Sequence, residues 1–214
     1  MRGLLLGLAA TLSFGSAANA ATIVNGSFEV GVNPGSFATL PGGSTAINGW
    51  TIGGASVDYI GSYWTAQDGS RSIDLAGSGI GSISQIIATN IGQMYNVSFF
   101  VSRNPDGGLT PRNGFVDVGG TPTLVSFANG ASTKANMGWE LRNFGFTATS
   151  TNTTLRFSAD PATSGANFGL GLDNVMIAAV PEPGTWMMML LGFGLIGGAL
   201  RSRKKQNTNG QLAF

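Results

Sequence analysis

The sequence predicts an all-β chain folded as an antiparallel β-sandwich, and three observations carry that prediction. Apolar residues alternate with polar ones over short runs, the period of a strand with one buried face. Turn signals separate the runs at Asn25-Gly26, Pro41-Gly42, Asp68-Gly69, Asp106-Gly107-Gly108 and Asn129-Gly130. Between the two ends of the chain no long segment repeats with helical spacing, and glycine supplies 34 of the 214 residues. Many short strands with spaced turns and no helices make a sandwich.

The elements follow in order. Met1-Arg2 gives a positive start, Leu4 to Phe14 an apolar stretch, and Ala18-Asn19-Ala20 a small-x-small cleavage site before Ala21. Residues 1–20 therefore read as a secretory signal peptide. Val57 to Ile60 is strand-like, and Ile73 and Leu75 alternate with Asp74. Tyr95, Val97, Phe99 and Val101 share one face of a strand, with Asn96, Ser98 and Ser102 opposite. Val125 and Phe127 alternate with Ser126, Phe144 and Phe146 with Gly145, and Leu155 and Phe157 with Arg156. Leu170 and Leu172 open a last strand that runs to Ile177. With no internal repeat and no earlier linker, residues 21–178 read as one domain.

The C-terminus changes character. Pro181-Glu182-Pro183 suits an extended spacer, because two prolines disfavour a helix interior or a central strand. An apolar run from Trp186 to Leu200 follows, then the basic cluster Arg201 to Lys205 and a short tail over 206–214. As a helix the apolar run is about 22 Å long, against a hydrocarbon core of roughly 30 Å, so it is a marginal transmembrane helix. Trp186 at one end and the basic residues at the other match an interfacial anchor and a cytoplasmic stop.

Composition excludes several chemistries. The chain has 11 basic and 10 acidic residues, but the two end segments hold most of the positive charge. Without those segments 6 basic and 9 acidic residues remain, so no nucleic-acid partner is implied. Cysteine and histidine are both absent, which removes disulfides, thiolate or imidazole metal sites, and Ser-His-Asp catalysis. Carboxylate-pair chemistry of the glycosidase kind stays formally open, whereas Lys134, the one lysine between the end segments, follows no Ser-x-x-Lys motif.

The tail resembles the PEP-CTERM sorting signal of Gram-negative bacteria, with Pro181, Glu182 and Pro183 as its motif. Further motifs form an ordered series: Asn25-Gly26-Ser27-Phe28-Glu29, Ile47-Asn48-Gly49-Trp50-Thr51, Val57-Asp58-Tyr59-Ile60-Gly61 and Asp68 to Leu75. Gly81 to Gln85, Tyr95 to Phe99 and Gly171-Leu172-Asp173-Asn174-Val175 complete it. This series resembles the choice-of-anchor C family. It is also similar to the domain-of-unknown-function family of plant cell-wall proteins. Both families resemble galactose-binding-like jelly rolls and several carbohydrate-binding modules, which implies that fold here.

The resemblance to carbohydrate-binding modules implies a structural calcium held by Glu29 and Asp173, near the first and last strands. The alternative is that both carboxylates accept hydrogen bonds from turn amides or pair with an arginine. Calcium takes six to eight hard oxygens, which backbone carbonyls would complete. Tyr63 and Trp64 fall in a loop, where flat aromatic faces stack on sugars. Arg103, Asn104 and Asp106 follow the strand Tyr95 to Val101 and are candidates for reading hydroxyls at its rim. Trp50 and Trp139 adjoin strands and read as core.

The sequence thus leads to an exported, non-enzymatic surface protein whose sandwich binds polysaccharide. The resemblance implies processing by an exosortase-type enzyme in an organism that makes exopolysaccharide. It also implies an inner-membrane-anchored precursor that reaches the cell surface or extracellular matrix. A structural matrix protein without a sugar pocket is the alternative, and a carboxylate-based glycan hydrolase the third.

Overall fold

Alternation in the sequence becomes alternation in burial. In the computed structural model, which describes residues 21–107, 111–128, 130–181 and 183–209, strand β6 (Met94–Arg103) buries Tyr95, Val97, Phe99 and Val101 and leaves Asn96 and Ser98 half-buried. Burial also alternates along β9 (Glu140–Thr147) and most of β10 (Asn152–Ala159), whereas β4 (Ser72–Asp74) is buried throughout, β8 (Thr121–Phe127) buries only Val125 and Phe127, and β11 (Leu170–Ala179) opens on four buried residues. β3 (Ser56–Ile60) is buried at every position because both its faces are covered. Four strands carry weaker signals: β1 (Phe37–Pro41), β2 (Thr51–Gly54), β5 (Gly81–Ala88) and β7 (Arg112–Val118).

These strands form two antiparallel sheets, ordered β1-β3-β4-β11-β6-β9 and β2-β5-β10-β7-β8, an all-β sandwich of the jelly-roll kind. The core lies between them. Phe99 of β6 meets Phe157 of β10 edge-on at 4.8 Å, while Phe28 and Trp50 pack at 5.3 Å. Each such ring removed from water stabilises the fold by roughly 1.5–3 kcal/mol. Edges carry the usual protection: Pro41 ends β1, Pro122 lies in β8, and β9 carries a half-buried Arg142–Glu140 ion pair whose guanidinium also donates to the Ser126 carbonyl.

A second, smaller cluster covers the outer face of the six-stranded sheet. Ile60, Trp64 and Met137 form it, with Tyr63 and Trp139 packed alongside. Trp64 is therefore a core residue and not an open loop platform: it is 4% exposed and its indole N–H donates to Ser72 Oγ at 2.8 Å. In the turn after β3, Trp64 is buried while Tyr63 beside it stays half-buried at the edge of the cluster.

The tail also departs from expectation. Pro183 does not extend the spacer but opens helix α1 (Pro183–Asn209), which runs on through the basic cluster. Proline fits the first helical position, where its missing N–H costs nothing. Met187 to Leu191 and Phe193 are exposed on α1. Among the described residues no helix is long and apolar enough to cross a membrane. The expected signal peptide, Glu182 and residues 210–214 lie outside the described residues.

Candidate functional site

The motif Asn25 to Glu29 makes a turn that fixes Glu29. Asn25 Nδ2 donates to the carbonyls of Val30 and Asn48, and Asn25 Oδ1 accepts from the Val30 amide at 2.9 Å. Phe28 takes a left-handed φ of 62°, costly for a bulky residue, and is fully buried in return. Glu29 then meets the segment between β3 and β4. Its Oε1 accepts from the amides of Ser70 (2.9 Å) and Arg71 (2.8 Å), and its Oε2 from Ser70 Oγ (2.8 Å). Gly69 is required there: φ is +65°, and a Cβ would stand 2.6 Å from Glu29 Cδ.

Asp173 holds the same segment from the other side. Its Oδ2 accepts from the amides of Gln67 (2.7 Å) and Asp68 (3.1 Å), and its Oδ1 from the amide of Asn174 (2.7 Å). Burial pushes Asp173 up to about 7, against the pull of those amides. The donor set does not suit the calcium that the resemblance implies. The oxygens of both carboxylates face N–H and O–H donors, whereas calcium requires oxygens free to face the ion. Among the described residues no group of three acidic, histidine or cysteine side chains is placed to hold a metal. Glu29 and Asp173 act as loop anchors.

A pocket of about 340 Å³ opens beside this segment, lined by Phe37, Asp58, Ile60, Tyr63, Asn104, Asp106, Asn167 and Phe168. Of the residues the sequence singles out for glycan contact, the structure places Tyr63, Asn104 and Asp106 here. Arg103 is not among the lining residues; its Nη2 donates to the Gly130 carbonyl at 2.8 Å. Asn104 is nearly buried and committed: Nδ2 donates to Asp74 Oδ2 (2.9 Å) and the Asn167 carbonyl (2.8 Å), and Oδ1 accepts from the Asp106 amide. It positions the floor of the pocket and has little capacity left for a ligand.

One rim is a charged corner. The Tyr63 phenol donates to Asp106 Oδ2, and Lys134 Nζ lies 3.0 Å from Asp106 Oδ1 and 3.9 Å from the Tyr63 ring centroid. The phenol, then the ammonium, hold the Asp106 carboxyl below the usual range. Phe37 meets the Tyr63 ring edge-on at 5.2 Å, giving the pocket a continuous aromatic wall.

Asp58 is the residue that alternation alone did not reveal. It is 5% exposed, and among the described residues its carboxyl accepts one hydrogen bond, from Thr39 Oγ1 to Oδ1 at 2.6 Å. Among the described residues no cation pairs with it. Burial raises its pKa, opposed by the Thr39 hydroxyl. Directly across the ladder stands Asp74, fully buried, its carboxyl raised to about 7 mainly by desolvation. The amides of Asn104 and Ala76 pull it down, and the Asp58 charge pushes it up. Gly169 closes over Asp74 so tightly that a Cβ would sit 2.0 Å from Asp74 Oδ1. Asp74 is thereby sealed from any substrate, so the two carboxylates do not form the open acid and base of a glycosidase. The sequence signal for Asp58 was a carboxylate inside the apolar stretch Val57-Asp58-Tyr59-Ile60.

Halomucin of Haloquadratum walsbyi (strain DSM 16790 / HBSQ001) is 37% identical over 166 residues, covering 75% of this chain and 2% of halomucin, so the chain spans a small fraction of that relative. Similar solved structures include a family 35 carbohydrate-binding module from Clostridium thermocellum, with TM-score 0.43, 16% identity, and 66% of this chain against 97% of that one. The family 35 module of Paenibacillus barcinonensis gives TM-score 0.43 and 21% identity over 68% of this chain and all (100%) of that one. The isomalto-dextranase of Arthrobacter globiformis T6, complexed with panose, gives 0.45 and 15% over 66% of this chain and 23% of the enzyme. Residues 179–204 match the PEP-CTERM protein-sorting motif, and residues 21–178 match the family described as Protein of unknown function (DUF642). Since that match spans nearly the whole sandwich and more than half of the sequence, the chain belongs to the DUF642 family.

Proposed function

We propose that this is a non-catalytic surface protein whose sandwich binds a neutral glycan in the pocket of Asp58, Phe37 and Tyr63. The observation that carries the reading is Asp58: a nearly buried carboxylate that has, among the described residues, one side-chain donor and no cation, with an aromatic wall beside it. Such a group is an acceptor in search of donors, and adjacent sugar hydroxyls supply two at once while the ring faces cover Phe37 and Tyr63. Asp58 and Asp106 together disfavour an anionic ligand at the same spot.

The PEP-CTERM motif supports export and sorting. In this reading Trp186 to Leu200 embeds in the membrane, the basic residues after it stay on the cytoplasmic side, and an exosortase-type enzyme recognises Pro181-Glu182-Pro183. The sandwich is then released to the cell surface or matrix, where exopolysaccharide is its ligand.

The test is titration calorimetry of the protein with a panel of neutral and uronic oligosaccharides, repeated on Asp58→Asn and Phe37→Ala. A hydrogen bond to a charged group contributes about 1.5–3 kcal/mol, so Asp58→Asn should weaken binding on the order of tenfold to a hundredfold. Phe37 is 45% exposed, so its truncation tests the wall without emptying the core. Unchanged affinity in both variants, or preference for uronic sugars, refutes the assignment.

A further inference from the structure

The two ends of the sandwich differ in chemistry. β6 begins at Met94 and ends at Arg103, and β11 runs antiparallel to it, pairing Leu170 with Arg103 and Ala179 with Tyr95. The pocket residues Asn104, Asp106, Asn167 and Phe168 therefore sit at one pole. The sorting tail leaves from the other, roughly 30 Å away along ten residues of strand.

At the tail pole the exit is pinned. The Val180 amide donates to the Met94 carbonyl at 2.8 Å, and Gln93 Nε2 donates to the Val180 carbonyl at 2.7 Å. Residue 21, the first described, packs beside it against Tyr95 and Ala148. From Val180 to Trp186 the chain reaches at most about 20 Å even fully extended. A helix embedded from Trp186 onward therefore holds this pole against the lipid headgroups.

The surface of that pole suits such a neighbour. No Asp, Glu, Lys or Arg occurs from Ile86 to Asn96, from Asn143 to Leu155 or from Asn174 to Pro181. Asp117, beside the β7–β8 hairpin, is tied to the Gly120 amide. Glu29, Asp68 and Arg71 lie at the tail-directed ends of β3 and β4, but these short strands stop level with Asp173, roughly 15–20 Å short of Ala179 along β11. Ile91 (68% exposed) and Met94 (51%) project from the same end. Arg103, Asp106, Arg112 and Asp160 all lie at the pocket pole, at or next to the strand ends there. Charged groups resist the partial desolvation of a bilayer interface, whereas uncharged polar loops with a few apolar side chains tolerate it.

We infer that the precursor docks its uncharged pole, led by Ile91 and Met94, on the lipid surface and presents the glycan pocket outward. The inference rests on the reading that the tail embeds in the membrane. It implies that the pocket is open to ligand before the tail is cut, so capture of glycan does not wait for release.

The natural chain has no cysteine, so single-cysteine variants report cleanly. Ile91→Cys, Ser36→Cys beside the pocket, and Phe193→Cys in α1 are labelled with a fluorophore. The full chain is reconstituted into phosphatidylethanolamine–phosphatidylglycerol vesicles carrying either a headgroup or an acyl-chain quencher. The expected result is acyl-chain quenching at Phe193, headgroup quenching several-fold stronger at Ile91 than at Ser36, and none at Ser36 beyond a soluble control. Quenching at Phe193 with equal signals at Ile91 and Ser36 overturns the docking and leaves the tail reading standing. No quenching at Phe193 overturns both.

Discussion

Trp64→Ala distinguishes a core tryptophan from a sugar platform by stability alone. Trp64 is 4% exposed, packs on Ile60 and Met137, and lies 5.9 Å from the Tyr63 ring. Emptying such a site costs roughly 3–5 kcal/mol. The lost indole N–H also strands the fully buried Ser72 hydroxyl, for about 1–3 kcal/mol more. For a domain of this size each kcal/mol moves Tm by about 2–4 °C, so the melting temperature should fall on the order of 10 °C or more. Trp64→Phe keeps most of the ring and loses only the donor, so a drop of about 1–2 kcal/mol is expected. Circular dichroism melting of both variants is the assay. A Trp64→Ala protein within about 1 kcal/mol of the natural one refutes the burial on which the reasoning stands.

Two further predictions concern carboxylates. Because Glu29 and Asp173 already accept from amides and a hydroxyl, a calcium chelator should leave Tm unchanged, whereas Glu29→Ala and Asp173→Ala should each lower it. A calcium-dependent Tm shift of the size expected for a ligand that binds only the folded state would restore the metal. Asp74 makes stability depend on pH. Its folded value, about 7, lies above the ordinary 3.8, so the folded state keeps a proton that the unfolded chain releases. Stability is fully present below about pH 4 and falls as pH climbs through 7, by at most about 4 kcal/mol at 1.36 per unit. Asp173 adds a change of the same sign. Urea unfolding across pH 4 to 8 should therefore show a shallower decline in Asp74→Asn, and an unaltered decline would refute the role of Asp74.

How far the sequence reached depended on whether the causes were local. β6 and β10 were legible because period-two alternation is a property of neighbouring residues, and both strands bury one clean face. β2 was not, since Thr51-Ile52-Gly53-Gly54 offers a single buried side chain. β7 went unmarked for a different reason: it opens with Arg112, which is 1% exposed and donates to the carbonyls of Thr163 and Gly107. An arginine reads as a solvent-facing residue until distant carbonyls are known to surround it. Asp58 was hidden in the same way. Alternation assigns it to an outer face, and that face is roofed by segments around residues 61–67, 104–107 and 165–168, which approach only once the sheet has formed.

The anchors explain why the pocket nonetheless has a fixed shape. Tyr63 sits in the eleven-residue connection Gly61–Arg71 between β3 and β4, too long to hold one conformation unaided. Glu29 grips its far end at Ser70 and Arg71, and Asp173 its middle at Gln67 and Asp68. Arg71 Nη1 then donates to the Tyr59 hydroxyl, which itself donates to the Phe28 carbonyl at 2.6 Å. Trp64 pins the near end into the second cluster, one residue from Tyr63. Two carboxylates, Asp173 buried and Glu29 half-buried, are each matched by several donors and costly to release together, so this connection is ordered before any ligand arrives and little conformational entropy remains to be lost on binding. The motif residues that the sequence offered as a metal site thus serve the pocket at one remove, by holding Tyr63 beside Asp106 and Phe37.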